Sequence, residues 1–235
     1  MGKSNVRRWL ARTLVRLLAL VSLLLGGLAG YWWITFPDIP ALAKTFPAST
    51  ALIEARVAEA RKLDRPFTPR WAWVPLSRIS PHLQKAVIVS EDASFFEHEG
   101  FDWGGIQEAT LRNLKSGKLA RGGSTITQQL AKNLYLSSDK TLLRKAHEAL
   151  IARSLERHLS KKRILEIYLN VAEWGRGVYG AEAAAQHHFG KPAATLSAEE
   201  AALLAAMLPS PLRHDPLKIT PYLAHRQAQI LRWMN

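Results

Sequence analysis

From Leu17 to Pro37 the chain carries no charged residue and is mostly apolar, whereas beyond Ser80 apolar residues recur at helical spacing. The first pattern predicts a helix that is apolar on every face. About 20 such residues match the hydrocarbon thickness of a bilayer. Lys3, Arg7, Arg8, Arg12 and Arg16 precede it, and Tyr31, Trp32 and Trp33 lie near its far end, where amphipathic rings favour the interface. The basic flank should stay in the cytoplasm, so the chain after Asp38 should face outward. A cleavable signal peptide is the alternative. Its apolar core would be shorter and followed by a small-x-small site, where this chain has a crowd of aromatic residues.

The second pattern predicts a mainly α domain. Residues 1–16 read as a basic tail, 17–37 as the anchor, 38–70 as a linker with a short helix over 51–63, and 71–235 as the domain. Pro37, Pro40 and Pro47 break up the linker, and Trp71 to Leu76 reads as extended. Pro81 after a Ser80 cap starts a helix reaching about Glu91. Gly122-Gly123-Ser124 reads as a turn and cap, with a helix over 125–134. Further helices are expected over 141–159, 161–169 and 181–189. Ser197 and Glu200 form a capping box for a helix through Met207, and Thr220-Pro221 starts the last one. No sustained period-2 alternation predicts a sheet.

Charge narrows the partners. The formal net charge is +13, from 32 basic and 19 acidic residues. Such an excess favours an anionic partner: nucleic acid, a membrane surface or a phosphate-bearing substrate. Between Arg112 and Arg163 thirteen Lys and Arg face only Asp139, Glu148 and Glu156. On the outer side of a membrane nucleic acid is not the expected partner, and a lipid-linked diphosphate becomes the natural anion. The chain has no cysteine, which removes disulfides, thiolate metal sites and cysteine nucleophiles.

Three runs could carry chemistry. Glu91-Asp92 sits at a helix end and could be a solvated acidic terminus. Phe95 and Phe96 beside it could instead desolvate a carboxylate and raise its proton affinity toward the range of a general base. His98 reads as a packed histidine that fixes the loop. The run Gly122 to Asn133 places two glycines before a helix N-terminus, where free N–H groups favour anions; Ser124, Thr125, Gln128 and Gln129 add groups suited to sugar or phosphate oxygens. An ordinary polar helix after a turn is the plain alternative. Arg144 and Glu148 lie one turn apart, either as a surface pair or as a carboxylate held by arginine. Metal and hydrolase patterns are weak: His147-Glu148 lacks a second histidine one turn on, His187 and His188 are adjacent, and Ser137-x-x-Lys140 lacks its Ser-Asp-Asn and Lys-Thr-Gly partners.

Together these runs resemble the glycosyltransferase domain of class A penicillin-binding proteins and its monofunctional relatives, the peptidoglycan transglycosylases. The resemblance spans roughly residues 74–211. It rests on Glu91-Asp92-x-x-Phe95-x-x-His98-x-Gly100, Gly122 to Asn133, Arg144-Lys145-x-x-Glu148 and Lys161-x-x-Ile164-Leu165-Glu166-x-Tyr168-Leu169-Asn170, extended by residues 179–185 and 189–191. It implies a lysozyme-like α domain with a small mobile jaw between the first two motifs, here residues 101–119. It implies lipid II as substrate, polymerised with inversion at the donor anomeric carbon. Glu91 would be the general base, and Glu148 would position substrate, basic side chains or a divalent cation. Lys132, Arg144 and Lys140, with Arg112, would stabilise the departing diphosphate; Asp92, Ser124, Thr125, Gln128, Gln129 and Asn133 would line the substrate track. Relatives often carry arginine where Lys140 stands. A cation such as magnesium or manganese is the only cofactor implied, with no organic cofactor. Partners would be the growing glycan strand and proteins of cell-wall synthesis or division.

Two other readings compete. A lysozyme-type cleaving enzyme would share the fold and one glutamate, but needs a protonated acid at the leaving oxygen and gives the basic cluster no purpose. A non-catalytic membrane scaffold would tolerate loss of the Glu91 carboxylate. If the anchor positions the domain at its substrate, removing residues 1–37 should lower activity far more on vesicle-embedded than on detergent-dispersed lipid substrate. Equal losses in a side-by-side polymerisation assay would exclude that role.

Overall fold

The computed structural model describes residues 3–116, 123–137, 139 and 141–235. Residues up to Asp38 and residues Ile39–Asn235 are separate compact units. The first is essentially α1, Lys3–Thr35, whose 33 residues extend about 50 Å at helical rise. From Arg8 onward it is long and apolar enough to cross a membrane. Leu23, Leu24 and Trp33 are exposed, as expected for a helix whose apolar surface has no protein core to enter.

In the second unit hydroxyl caps set the helix starts. Thr50, Ser80, Thr125, Thr141, Ser160, Ser197 and Thr220 each accept a backbone N–H of the following first turn. They open α2 (Ala51–Lys62), α3 (Pro81–Glu91), α5 (Ile126–Tyr135), α6 (Leu142–His158), α7 (Lys161–Val171), α9 (Ala198–Met207) and α10 (Pro221–Met234). Between α3 and α5 lies α4 (Trp103–Ser116), and α8 (Ala181–Phe189) follows the sheet. The cap of α5 is Thr125, one residue beyond the expected Ser124. Thr125 exchanges hydrogen bonds with Gln128 in a full capping box, which Ser124 has no glutamine three residues on to form.

α7 is the spine of the domain. Ile164, Leu165, Ile167, Tyr168, Leu169 and Val171 are all buried, and α5, α6 and α8 pack around them. On the other side α9, with Ala201 through Met207 buried, packs against α3 and α10. The polar residues of α7 bind the incoming chain. Asn170 Oδ1 accepts from Val74 N–H at 2.9 Å, and its amide donates to Val74 O at 2.9 Å. Glu166 accepts from Leu76 N–H at 2.8 Å, and Trp71 Nε1–H donates to Asn170 O.

Two expectations change. A three-stranded sheet exists, with β1 (Arg70–Trp71) parallel to β3 (Val178–Tyr179) and β2 (Glu173–Gly175) antiparallel to it, in the order β1-β3-β2. Strands this short cannot display a period-2 alternation. Residues 39–70 are also not a free linker. Ile39, Leu42 and Ile53 are buried, and Arg163 of α7 donates to Leu42 O and Thr45 O. Arg56 of α2 grips Glu173 with bonds of 2.9–3.3 Å.

The turn into α8 requires glycine. Gly180 has φ +83°, and a Cβ there would lie 2.7 Å from Asn170 O. Gly180→Ala should therefore destabilise the domain by about 2 kcal/mol or more, combining backbone strain with a clash against the spine. Thermal unfolding in detergent reads the loss; an unchanged melting temperature would refute the argument.

Candidate active site

Glu91 and Asp92 end α3 with opposite fates. Asp92 turns inward: Oδ1 is 2.8 Å from His98 Nε2 and Oδ2 accepts from Ile126 N–H at 2.9 Å. His98 Nδ1 accepts from Gly100 N–H at 3.1 Å, which leaves Nε2–H to donate to Asp92. One carboxylate thus ties the loop after α3 to the first turn of α5. Thr125 adds a second tie, donating to Gly100 O at 2.8 Å. Thr127 and Lys161 both bind Glu156, at 2.5 and 2.8 Å, and the Lys161 ammonium lies over the Phe95 ring.

Glu91, half-buried, faces the other way. Its Oε2 accepts from Gln129 Nε2 at 2.8 Å, and Gln129 Oε1 accepts from Tyr168 OH at 2.9 Å. Burial raises the Glu91 carboxyl above the ordinary range, with Asp92 adding to the rise. The Gln129 hydrogen bond and the charges of Arg226 and Lys132 oppose it. The result is a carboxylate more basic than a surface glutamate yet stabilised in its charged form.

Gln129, Lys132 and Asn133 of α5 line a cleft of about 430 Å³, with Tyr168, Arg56 and Arg213 among its other walls. Burial lowers the Lys132 ammonium, as do Arg144 and Lys145, while Glu148 and Glu91 counteract it. Lys132 therefore senses both carboxylates. Glu148 is 2% exposed, which removes the surface-pair reading. Arg144 holds one of its oxygens at 2.6 Å, and Lys145 binds the other while donating to Ser124 Oγ at 3.2 Å. The glutamate gathers two cations beside α5.

The expected substrate residues therefore divide. Gln129, Lys132 and Asn133 reach the cleft, and Ser124, Arg144 and Glu148 form the adjacent basic cluster. The side chains of Asp92, Thr125 and Gln128 are committed to internal hydrogen bonds. Lys140 lies outside the described residues, as does Gly122, and Arg112 is on α4 with its side chain likewise outside them. Lys145, Tyr168, Arg226 and the cleft-wall Arg56 and Arg213 were not among the expected site residues. Tyr168 and Lys145 lay within the quoted runs without an assigned role; Arg56, Arg213 and Arg226 are distant in sequence and carried no local signal. Among the described residues no group of three His, Asp or Glu could hold a metal ion. Glu148, with both oxygens bound by cations, does not fit as a resident metal ligand.

A helical domain with a partly desolvated carboxylate bonded to a glutamine of a cation-lined cleft is suited to proton abstraction on an anionic substrate. The transglycosylase family profile matches residues 59–235. A relative from Nitrosospira multiformis called biosynthetic peptidoglycan transglycosylase is 53% identical over 79% of this chain and 80% of its own length. Relatives of the same name from Laribacter hongkongensis and Bordetella avium are 47% and 44% identical, covering 97% and 100% of this chain and 97% and 98% of theirs. The chain belongs to the transglycosylase family.

Asp92→Ala should leave Ile126 N–H and His98 without their acceptor, at about 3 kcal/mol for a buried, charge-assisted pair. The expected result is a lower melting temperature together with greater amide exchange at the start of α5. Wild-type values for both would show that Asp92 does not hold the junction.

Proposed function

We propose that this transglycosylase is a peptidoglycan glycosyltransferase that polymerises lipid II into β-1,4-linked glycan strands and releases undecaprenyl diphosphate. The observation that carries the reading is Glu91, desolvated enough to be basic, bonded by Gln129, and sharing the field of Lys132 with the Glu148 cluster. Glu91 takes the proton of the acceptor sugar's 4-hydroxyl. That oxygen attacks the donor anomeric carbon from the face opposite the diphosphate, so configuration inverts. The bond from that carbon to the phosphate oxygen breaks, and its electron pair leaves on the diphosphate. This leaving group needs charge stabilisation rather than protonation. Lys132 and Arg144, the latter oriented by Glu148, supply it, with Lys145 beside them and Lys140 and Arg112 as further cations. A divalent cation such as magnesium or manganese, if bound with the diphosphate, would supply further charge to the same leaving group.

α1 holds the enzyme in the cytoplasmic membrane, with residues 39–235 on the outer, periplasmic side where the lipid-linked substrate is presented. The growing strand and proteins of wall synthesis or division are the partners; nucleic acid is not.

Labelled lipid II tests the reading directly. Wild type should form polymer, and Glu91→Gln, melting like wild type, should be slower by about 10²–10⁴-fold, the usual contribution of a general base. Because burial raises the Glu91 pKa, activity should fall as pH drops through a value above the ordinary glutamate range near ~4.3. An unaffected mutant, or a wild type that only shortens preformed glycan, would overturn the proposal.

A further inference from the structure

Gln129 stands between two groups that impose opposite requirements on its amide. One side faces the Glu91 carboxylate at 2.8 Å, which can only accept; the other faces the Tyr168 hydroxyl at 2.9 Å. With the amide reversed, its oxygen would meet a carboxylate oxygen, two acceptors in contact. The Tyr168 proton would at the same time lose its acceptor. Tyr168 is 1% exposed, so a hydroxyl without its acceptor would be a buried unpaired donor. Burial, reinforced by Glu91 and Asp92, pushes the phenol well above the usual tyrosine range, so the hydroxyl is a donor throughout the working pH range. Each end therefore enforces the same amide orientation.

We propose that Tyr168 is a positioning residue for the base: by fixing the Gln129 amide, it directs an N–H at Glu91 Oε2 and leaves Oε1 to receive the substrate proton. Among the described residues Oε1 has no hydrogen-bond partner. Tyr168 touches no reacting atom in this scheme. It acts through Gln129, which bonds Glu91 and also lines the cleft. Without the hydroxyl the amide keeps only the Glu91 end of its constraint, and the bond that counteracts desolvation of the carboxylate weakens. The catalytic part of this proposal rests on Glu91 being the base of the polymerisation.

Tyr168→Phe keeps the buried ring and removes only the donor. Two profiles against pH test it: polymerisation of lipid II, and modification of Glu91 by a water-soluble carbodiimide, which reacts with protonated carboxyl and is located by peptide mass. Gln129→Met should move both profiles upward by about one pH unit, as expected for loss of a hydrogen bond to a charged group. Tyr168→Phe should move them in the same direction by a smaller amount, lower kcat several-fold and leave KM nearly unchanged. In the Gln129→Met background Tyr168→Phe should add no further shift, because the two residues act as one relay. A Tyr168→Phe variant that melts at a lower temperature but keeps the wild-type profiles would reduce Tyr168 to a packing role, and additive shifts would break the relay. The labelling profile tests the relay independently of turnover, whereas absence of polymer from wild type counts against the polymerase alone.

Discussion

The Asp92 carboxylate is the joint on which the site depends. Glu91 and Gln129 come from two helices and stand more than thirty positions apart in the chain. Asp92 accepts from the first-turn N–H of Ile126 and from His98, linking the last turn of α3 to the first turn of α5. A helix N-terminus presents free N–H groups and the positive end of its dipole, so a carboxylate is a natural partner there. Once that link fixes the entry of α5, Gln129 falls one turn further along, within reach of Glu91, and Lys132 follows on the cleft side. The position of Glu91 is a consequence of how its neighbour is bound.

The cations are organised by a second buried acid. Neighbouring lysines and arginines repel one another, and Lys132 registers this through the lowering influence of Arg144 and Lys145. Glu148 answers that repulsion with two short ion pairs, and its burial restricts where those cations can point. Removing a buried partner from such a pair costs several kcal/mol, largely because an unpaired charge remains. The cluster is thus a preorganised field rather than a flexible basic patch, suited to the leaving-group role proposed for it.

Much of the fold was legible because helix starts are local events. Ser80, Ser197 and Thr220 act within a few residues, and the expected helix over 198–207 stands where its cap and the following prolines placed it. The misplaced cap at Ser124 has the same origin: two hydroxyls compete, and the deciding contact is the reciprocal bond from Gln128. The sheet and the packed 39–46 segment were not legible, since they depend on Asn170, Glu166 and Arg163 reaching backbone groups 90 or more positions away. For the site, sequence spacing drew attention to the right runs but not to the direction of each side chain. Thr125 and Gln128 look as suited to a sugar as Gln129 does, yet capping turns the first two inward.

Glu91 and Asp92 show how one dipeptide can serve two purposes. Both are acids at the end of α3, and burial raises the proton affinity of both. What separates them is the kind of donor each receives. Asp92 is held by a backbone N–H and a histidine, and neither of its oxygens is left for substrate. Glu91 is held on one oxygen only, by a side-chain amide whose orientation depends on Tyr168. A base held on both oxygens would be stable but unreactive, and one held on neither would take up a proton and lose its function in the same desolvated place. Single-sided binding leaves the carboxylate charged and one oxygen open, and the fold achieves it by giving the inner acid the helix terminus and the outer acid the glutamine.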